Sequence, residues 1–325
     1  MKKIFVSMLA VAALASCNNE EAIDQVAPEA IGFDNVFVDN ATRTTDSSYS
    51  STNLPASFLV YGTTKGDEQN APVVPIFDGV AVSKNGNEYQ YDAAHTQYWI
   101  AGNTYNFAAL VNANAQKVTK TDYMPSSVVY TADYTIDGNT ADLLYATASA
   151  IGLATQNPTV GFTFNHLLSN VKFTVTNTMT TNVAGNLYEY VVTNIAINNA
   201  YTTGTCALAD KTWSDHDDAT KVVNFGNVEA VGVVGASESA SSDYARLLIP
   251  ATYGQNSELN VTFTLTTLLN GQSVNVENIT LTPTVTFEAG KAYNFVVEKG
   301  APGEEIKFTV TAVNGWDTSS ENQTM

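Results

Sequence analysis

Residues 17–43 read CNNEEAIDQVAPEAIGFDNVFVDNATR, and this stretch combines three features in a telling order. It opens with Cys17, which directly follows a short leader and is a candidate for lipid attachment. Its centre, Ile31 to Val38, has the apolar pattern of a short strand. It ends at Thr42-Arg43-Thr44, a polar segment that a trypsin-like protease can reach. A tether, a removable strand and a cut site in this order indicate a protein that is made in one form and used in another.

Residues 1–16 have the organisation of a secretory signal. Lys2-Lys3 gives the positive start, and Ile4 to Ala13 gives an apolar core too short to span a bilayer. Leu14-Ala15-Ser16-Cys17 is similar to a bacterial lipobox, in which the cysteine becomes the lipidated N-terminus. We therefore predict a lipoprotein signal peptide with lipidation at Cys17. The alternative is an ordinary signal peptide that is cut at a small-residue site.

The composition limits the class of protein. The chain has 325 residues and a formal net charge of −18, and 44% of its residues are hydrophobic, with 16 Tyr and 14 Phe among the aromatic residues. Because this apolar content is enough for large cores, global disorder is excluded. The negative charge repels nucleic acid and anionic lipid headgroups, so no nucleic-acid partner is expected.

Cysteine usage is sparse. The chain contains only Cys17 and Cys206. If Cys17 is acylated, no intrachain disulfide can form. Cys206 lies in an apolar-alternating stretch, which predicts a buried free thiol.

Most of the chain reads as short strands of β-branched and aromatic residues, separated by Gly, Asn and Asp. The predicted strands are residues 57–61, 89–91, 98–100, 104–110, 127–134, 160–164, 171–176, 188–198, 221–225, 245–249, 259–267, 274–281, 292–298 and 306–313. Helix signals are confined to Asp142–Ala150 and a single turn at His166–Ser169. Many short strands with turns between them predict an all-β protein built from β-sandwiches.

A polar break that contains Pro158 divides the chain into two predicted domains. Residues 17–43 form the tether and the removable strand. Residues 44–157 form an N-terminal β-sandwich domain, and residues 158–325 form a C-terminal β-sandwich domain that includes the last strand.

The sequence carries no motif for catalysis or cofactor binding. It has no nucleophile elbow, phosphate loop or zinc-protease helix motif. None of the three histidines has metal-ligand spacing to another His or Cys; they are His95, His166 and His216. We therefore expect no enzyme activity, no metal and no cofactor.

Two other features have a structural and a functional interpretation. The acidic run Asp215 to Asp218 clusters carboxylates, so calcium binding stays open. The run lacks the glycine and later glutamate of an EF-hand loop, which favours a solvated loop. The three tryptophans, Trp99, Trp213 and Trp316, could stack on sugars, but isolated aromatics in strand patterns favour core positions.

Taken together, the motifs resemble those of the fimbrillin family, the subunits of type V pili in Bacteroidales-type bacteria. The matching positions cover most of the chain. They are Leu14–Cys17, Thr42-Arg43, Trp99, Tyr105–Leu110, Asp142–Ala146, Val160–Phe164, His166, Val171–Phe173, Leu248–Pro250, Phe287, Ala289–Lys291, Tyr293, Phe295, Ile306, Phe308, Val310, Val313 and Trp316.

The resemblance implies two transthyretin-like Greek-key β-sandwich domains in tandem and export as an outer-membrane lipoprotein. It implies that an arginine-specific protease cuts between Arg43 and Thr44 and removes the N-terminal segment. It further implies that the C-terminal strand of another pilin subunit, the same or a related one, fills the uncovered groove. Removing a strand leaves apolar surface and unpaired backbone groups, which form a template for an incoming strand.

The resemblance also assigns the C-terminal segment as the donor strand. The donor-strand residues are Ile306, Phe308, Val310, Val313 and Trp316, of which the first three are apolar at period two. Gly300 to Gly303 is a candidate hinge before them. The alternative is that this strand simply closes its own sheet.

The resemblance also bears on the subunit's role. Anchor subunits of the family keep their N-terminus, so Arg43 argues against an anchor. Tip subunits tend to lack a freely donated C-terminal strand, so Ile306 to Trp316 favours a stalk subunit, and a tip subunit stays open. Two other classes stay open: a surface lipoprotein that binds glycans without polymerising, and a purely structural monomeric surface lipoprotein.

Overall fold

The computed structural model of the chain describes residues 28–38, 54–134, 141–154, 156–179, 185–217, 219–232, 238–253 and 258–313. Regular structure in these residues is almost entirely β, and two short 3₁₀ helices lie at Ala93–His95 and Ala115–Lys117. The all-β prediction is confirmed.

The strands are short and follow one another along the whole described chain. In order they are β1 (Phe33–Val38), β2 (Ser57–Lys65), β3 (Val73–Asn85), β4 (Glu88–Tyr91), β5 (Thr104–Val111), β6 (Val118–Thr121), β7 (Met124–Thr131), β8 (Leu144–Ile151), β9 (Val160–His166), β10 (Ser169–Asn177), β11 (Tyr188–Ala200), β12 (Thr203–Ala207), β13 (Thr212–Ser214), β14 (Lys221–Val231), β15 (Glu238–Ser241), β16 (Arg246–Leu248), β17 (Thr252–Tyr253), β18 (Val261–Leu269), β19 (Gln272–Leu281), β20 (Val285–Thr286), β21 (Ala292–Lys299) and β22 (Lys307–Val313).

The N-terminal part of the chain closes into a seven-stranded barrel in the order β1-β4-β3-β2-β5-β8-β9. Closure depends on β1, because this strand pairs with β4 on one side and with β9 on the other. The interior is aromatic, since inward positions of several strands carry large rings. They include Phe58, Phe77, Tyr105, Phe107, Phe162 and Phe164, all of which are buried.

The C-terminal part packs two sheets against each other in a sandwich-like arrangement. One sheet has the order β15-β10-β21-β22, with β16 also paired to β10, and the other has the order β14-β11-β18-β19. Inward residues follow period two along β10, where Val171, Phe173 and Val175 are buried. Phe173 meets Phe225 of β14 across the two sheets, with ring centroids 4.8 Å apart. The sandwich-like packing therefore rests on the apolar alternation that the sequence shows.

A third sheet, in the order β13-β12-β7-β6, joins the two parts of the chain. Val128 of β7 lies opposite Cys206 of β12, so the sheet crosses the predicted boundary near Pro158. The buried core around the sandwich also includes Tyr61 and Leu110 from barrel strands. The two predicted domains are thus connected by hydrogen bonds and by apolar packing, and their exact boundary stays a prediction.

Two local predictions are wrong. The helix expected at Asp142–Ala150 is replaced by β8, because Leu144 and Ala146 turn into the barrel while Thr147 faces solvent. The helical turn expected at His166–Ser169 is a two-residue connection between β9 and β10. In both places tertiary packing outweighs the local helix propensity of Ala and Leu.

Candidate functional site

The candidate site has two parts: the N-terminal strand β1 with the groove it occupies, and the C-terminal strand β22. β1 runs parallel to β9, where Val36 lies opposite Phe162 and Val38 opposite Phe164. It runs antiparallel to β4, where Phe33 lies opposite Tyr89. β1 therefore fills a gap between two strands instead of lying on the barrel surface.

The side chains of β1 and the residues before it alternate between core and solvent. Ile31, Phe33, Val36 and Val38 are buried, whereas Phe37 is 57% exposed. The pairing shifts between Phe33 and Val36, so these two inward residues are three positions apart. Each fully buried large side chain contributes about 1.5–3 kcal/mol, so a substantial part of the barrel's stability comes from this one segment.

Phe33 occupies the centre of the aromatic interior. Its ring meets the rings of Phe77, Tyr91 and Phe107 edge-on, at centroid distances of 5.3, 5.7 and 6.0 Å. It stacks on Phe162 at 5.9 Å. Removal of β1 would therefore open an aromatic cavity in the barrel.

The backbone before β1 is also hydrogen-bonded to the barrel. The Ile31 amide donates to the Gln97 carbonyl at 2.8 Å, and the Trp99 amide donates to the Glu29 carbonyl at 3.0 Å. The Tyr91 hydroxyl donates to the Ile31 carbonyl at 2.6 Å. Loss of this segment would leave these donors and acceptors without their present partners.

Glu29 is fixed by a specific polar contact. Asn157 donates to Glu29 Oε2 from its backbone amide at 2.8 Å and from Nδ2 at 3.3 Å. The Asn157 side chain is itself positioned by Leu153, whose amide donates to Oδ1 at 2.6 Å and whose carbonyl accepts from Nδ2 at 3.1 Å. Glu29 is exposed, so this pair of hydrogen bonds is a solvent-accessible contact that fixes where the segment begins relative to Asn157.

The C-terminal strand β22 lies at the edge of its own sheet. It pairs antiparallel with β21, where Phe308 lies opposite Val297 and Val310 opposite Phe295. Ile306, Phe308 and Val310 pack on the sandwich core but are only partly buried. Among the described residues β22 has no second neighbouring strand. In this isolated chain the strand closes its own sheet, which is one of the two roles that the sequence allows, and donation to another subunit stays a prediction.

The connection from β21 to β22 is a compact loop. Lys299 Nζ donates to the carbonyls of Ala301 and Glu304, and the Tyr190 hydroxyl donates to the Gly300 carbonyl. Gly303 has a φ of +89°, a conformation that glycine adopts without strain. The predicted hinge is therefore an ordered turn that must open before β22 can leave its sheet.

Several predicted site residues lie outside the described part of the chain. They are the lipidation site Cys17, the processing site Arg43 and Thr44, and the last donor-strand residue Trp316. The backbone of Val313 ends β22, opposite Ala292.

The second arginine of the chain is well protected. Arg246 lies in β16, opposite Val171 of β10, and is 7% exposed. Its Nε donates to the Asn224 carbonyl at 2.8 Å. Its guanidinium lies over the Tyr244 ring at 4.3 Å. A protease that needs an extended, accessible arginine cannot use this site in the folded chain.

Two residues of the family-like motifs meet in the interior. His166 Nδ1 lies 2.8 Å from Asp142 Oδ2, and both side chains are almost completely buried. The Leu167 amide donates to the Leu143 carbonyl at 2.9 Å beside them. This pair joins the start of β8 to the end of β9 and has a structural role at the junction of barrel and sandwich.

The tryptophans and the cysteine singled out in the sequence contribute to the packing of the fold. Trp99 is buried against Tyr105, and the Trp213 Nε1 donates to the Leu167 carbonyl at 2.9 Å. Cys206 is buried and free, and burial raises the pKa of its thiol to about 12.

The acidic loop is organised by its own hydrogen bonds. Asp217 accepts from the amides of Thr202 and Thr203 at 2.9 and 3.0 Å. Burial favours the neutral form, but a hydrogen bond from the Thr202 hydroxyl and the two amide hydrogen bonds outweigh it and lower the pKa of Asp217. In the described part of the chain no group of three or more His, Cys, Asp or Glu side chains is arranged to hold a metal ion.

Sequence reasoning missed the anchor between Glu29 and Asn157. Glu29 lies in a segment that looks like an acidic tether, and Asn157 lies in a polar break that looks like a linker. No local pattern connects residues so far apart in the chain. Only the closure of the barrel brings them together.

Comparison with known proteins supplies a family and a fold. A family model described as fimbrillin-like matches residues 42–316. A fimbrial protein from Bacteroides vulgatus is 14% identical, with a TM-score of 0.61 over 88% of this chain and 99% of that chain. The tip fimbrial protein Mfa3 from Porphyromonas gingivalis, solved with a C-terminal truncation, is 13% identical, with a TM-score of 0.37 over 80% of this chain and 95% of that chain.

No curated protein matches the chain. Among the residues that the structure describes, no helix has the length and apolarity to cross a bilayer.

Proposed function

This chain belongs to the fimbrillin-like family, and we propose from that premise that it is a stalk subunit of a cell-surface pilus with a role in adhesion. It is exported as a lipoprotein on Cys17 and held at the outer membrane. An arginine-specific protease cuts it after Arg43, and it then polymerises by strand exchange.

The observation that carries this proposal is the position of β1 in a closed barrel. The strand contributes Ile31, Phe33, Val36 and Val38 to the barrel core, yet it lies upstream of Arg43. A cut after Arg43 therefore breaks the covalent link between one barrel strand and the other six.

Loss of β1 creates a site that favours one kind of occupant. The strands on each side, β4 and β9, are left with unpaired edges, and the aromatic interior is opened to water. An extended segment with apolar residues on its inward face satisfies both needs, because its backbone completes the sheet and its side chains fill the cavity. β22 has this pattern and lies at a sheet edge, from which it can leave without breaking a sheet in two.

Cleavage by itself does not empty the groove. After the cut, β1 keeps all its hydrogen bonds and apolar contacts, and it loses only the high effective concentration that the covalent link provides. A C-terminal strand from another subunit then competes with it for the same place. The membrane-tethered precursor is thereby kept from assembling before it is processed.

Electron microscopy of purified protein with and without arginine-specific protease tests the proposal. We expect fibres from cut wild-type protein. We expect monomers from uncut protein and from protease-treated Arg43→Ala protein. Fibres of equal length from Arg43→Ala protein that mass spectrometry shows to be intact would contradict it.

A further inference from the structure

The segment that enters β1 and the segment that enters β22 share a sequence pattern. Glu29-Ala30-Ile31-Gly32-Phe33 and Glu304-Glu305-Ile306-Lys307-Phe308 both read E-x-I-x-F. The match is in the same chain direction. The match covers the first two of the four inward positions, Ile31 and Phe33. Beyond it the pairing shifts by one residue, so the same register places Thr311 at Val36 and Val313 at Val38.

At each matched position the C-terminal segment carries the residue type that makes the observed contact in the N-terminal segment. Glu29 accepts two hydrogen bonds from Asn157. Ile31 and Phe33 are 1% and 2% exposed, so their places accept apolar side chains of matching shape.

The two unmatched positions tolerate the C-terminal residues. Ala30 is exposed, so the longer Glu305 in its place would point into solvent. A Cβ added at Gly32 would meet Thr159 Cγ2 at 3.4 Å, which is ordinary van der Waals contact. Lys307 can therefore stand where Gly32 stands without a clash at its first side-chain atom.

From this correspondence we propose that β22 of a second copy of this chain replaces β1 in one defined register, with Glu304 on Asn157, Ile306 in the place of Ile31 and Phe308 in the place of Phe33. The proposal rests on the proposed function, since it specifies the strand exchange that the function requires. It makes Asn157 a specificity-determining residue of the groove and makes the assembly self-complementary.

The register also fixes the direction of the incoming strand. Because the matched residues occur in the same order, β22 enters parallel to β9 and antiparallel to β4, as β1 does. The body of the donating copy then lies at the barrel end that carries Asn157. Repetition of one such head-to-tail contact produces an open filament.

Exchange in this register increases the burial of the donated residues. In their own sheet Ile306 and Phe308 are partly buried, whereas the places of Ile31 and Phe33 are almost completely enclosed. The places of Ile31 and Phe33 would therefore enclose the side chains of Ile306 and Phe308 more completely than their own sheet does.

A disulfide at the rim of the groove tests the register. Ala30 and Tyr98 form an isolated antiparallel bridge, flanked by the hydrogen bonds from Ile31 to Gln97 and from Trp99 to Glu29. Their Cα atoms are thus within about 4.5–5.5 Å, which is disulfide distance. Ala30→Cys/Tyr98→Cys should form an intramolecular disulfide in uncut protein, and this variant validates the site.

In cut protein the register predicts a cross-link between copies. Tyr98→Cys/Glu305→Cys fibres, oxidised after assembly, should give a ladder of covalent oligomers on a non-reducing gel. Tyr98→Cys/Lys307→Cys, shifted by two residues, should give none. Each single-cysteine variant is the control, and Cys206 does not compete because it is buried.

The outcomes separate the register from the function. Wild-type-like fibres that cross-link through Lys307, or through neither position, would overturn the register and leave strand exchange standing. Absence of fibres from cut wild-type protein would overturn both.

A peptide competition tests the Asn157 anchor by an independent readout. A synthetic peptide of residues 304–313 should inhibit assembly of cut wild-type protein. The Glu304→Ala peptide should need about tenfold more for half inhibition, because a charge-assisted hydrogen bond is lost. The Glu305→Ala peptide should match the wild-type peptide, and equal weakening by both changes would contradict the anchor.

Discussion

The ring of Phe33 in β1 stacks on the ring of Phe162 in β9, with centroids 5.9 Å apart and planes 18° apart. The two residues are separated by the whole N-terminal part of the chain, and the predicted cut site Arg43 lies between them. A cut at Arg43 would remove the covalent link between these two residues, so another strand could then take the place of β1.

Truncation of Phe33 should destabilise the barrel of the uncut protein. Phe33→Ala removes a buried ring that contacts four other rings, and changes of this kind cost about 3–5 kcal/mol. Phe37→Ala, in the same strand but 57% exposed, should change the free energy of unfolding by less than about 0.5 kcal/mol. Urea denaturation of both variants measures the difference, and equal effects would show that β1 is not part of the barrel core.

Lipidation should depend on Cys17. Cys17→Ala should leave the precursor without acyl chains and poorly retained in the membrane fraction, since each buried methylene of a lipid anchor contributes about 0.8 kcal/mol. Metabolic labelling with a fatty acid, followed by membrane fractionation, measures both effects. Equal labelling of wild type and Cys17→Ala would refute the assignment.

Processing should occur at one arginine of the two in the chain. Arg43→Lys should resist an arginine-specific enzyme but be cut by trypsin, whereas Arg43→Ala should remain full length with both at this position. Arg246→Lys should be processed like wild type by the arginine-specific enzyme, because Arg246 is buried and paired in β16. N-terminal sequencing of the product should find Thr44, and a product that starts after Arg246 would contradict the account.

The inward face of β22 should decide assembly. Phe308→Ala in cut protein should strongly reduce the fibre yield, because the ring that fills the place of Phe33 is lost. Thr309→Ala, on the exposed face of the same strand, should assemble like wild type. Deletion from Ile306 onward should give folded protein that does not polymerise. Light scattering measures assembly, circular dichroism checks folding, and normal fibres from the deletion would place the donor strand elsewhere.

The fold class could be predicted from the sequence because the apolar alternation is strong. Val171, Phe173 and Val175 follow period two in β10, and they are buried as the pattern predicts. The pattern failed at β8, where an Ala-rich run with helix propensity is drawn into the barrel by Leu144 and Ala146. Propensity is a local property, and the barrel neighbours that decide this strand lie far away in the chain.

The candidate site was predicted in outline and not in detail. Ile31 to Val38 has a readable strand pattern, and the structure contains β1 at Phe33–Val38. That this strand closes a barrel between β4 and β9 could not be predicted, because strand order depends on contacts among distant segments. The Glu29–Asn157 anchor was hidden for the same reason.

Exchange of one strand between copies is the central claim, and the mass of a mixed complex tests it most directly. One partner is cut Phe308→Asp protein, in which β1 is no longer covalently linked to the barrel and can be displaced, and which has no competent donor. The other is uncut Arg43→Ala protein that also carries Cys17→Ala, which has a donor strand and a covalently closed groove. In analytical ultracentrifugation each protein alone should sediment as a monomer, and the mixture should contain a 1:1 complex. Persistent monomers in the mixture, under conditions in which cut wild-type protein forms fibres, would contradict the account.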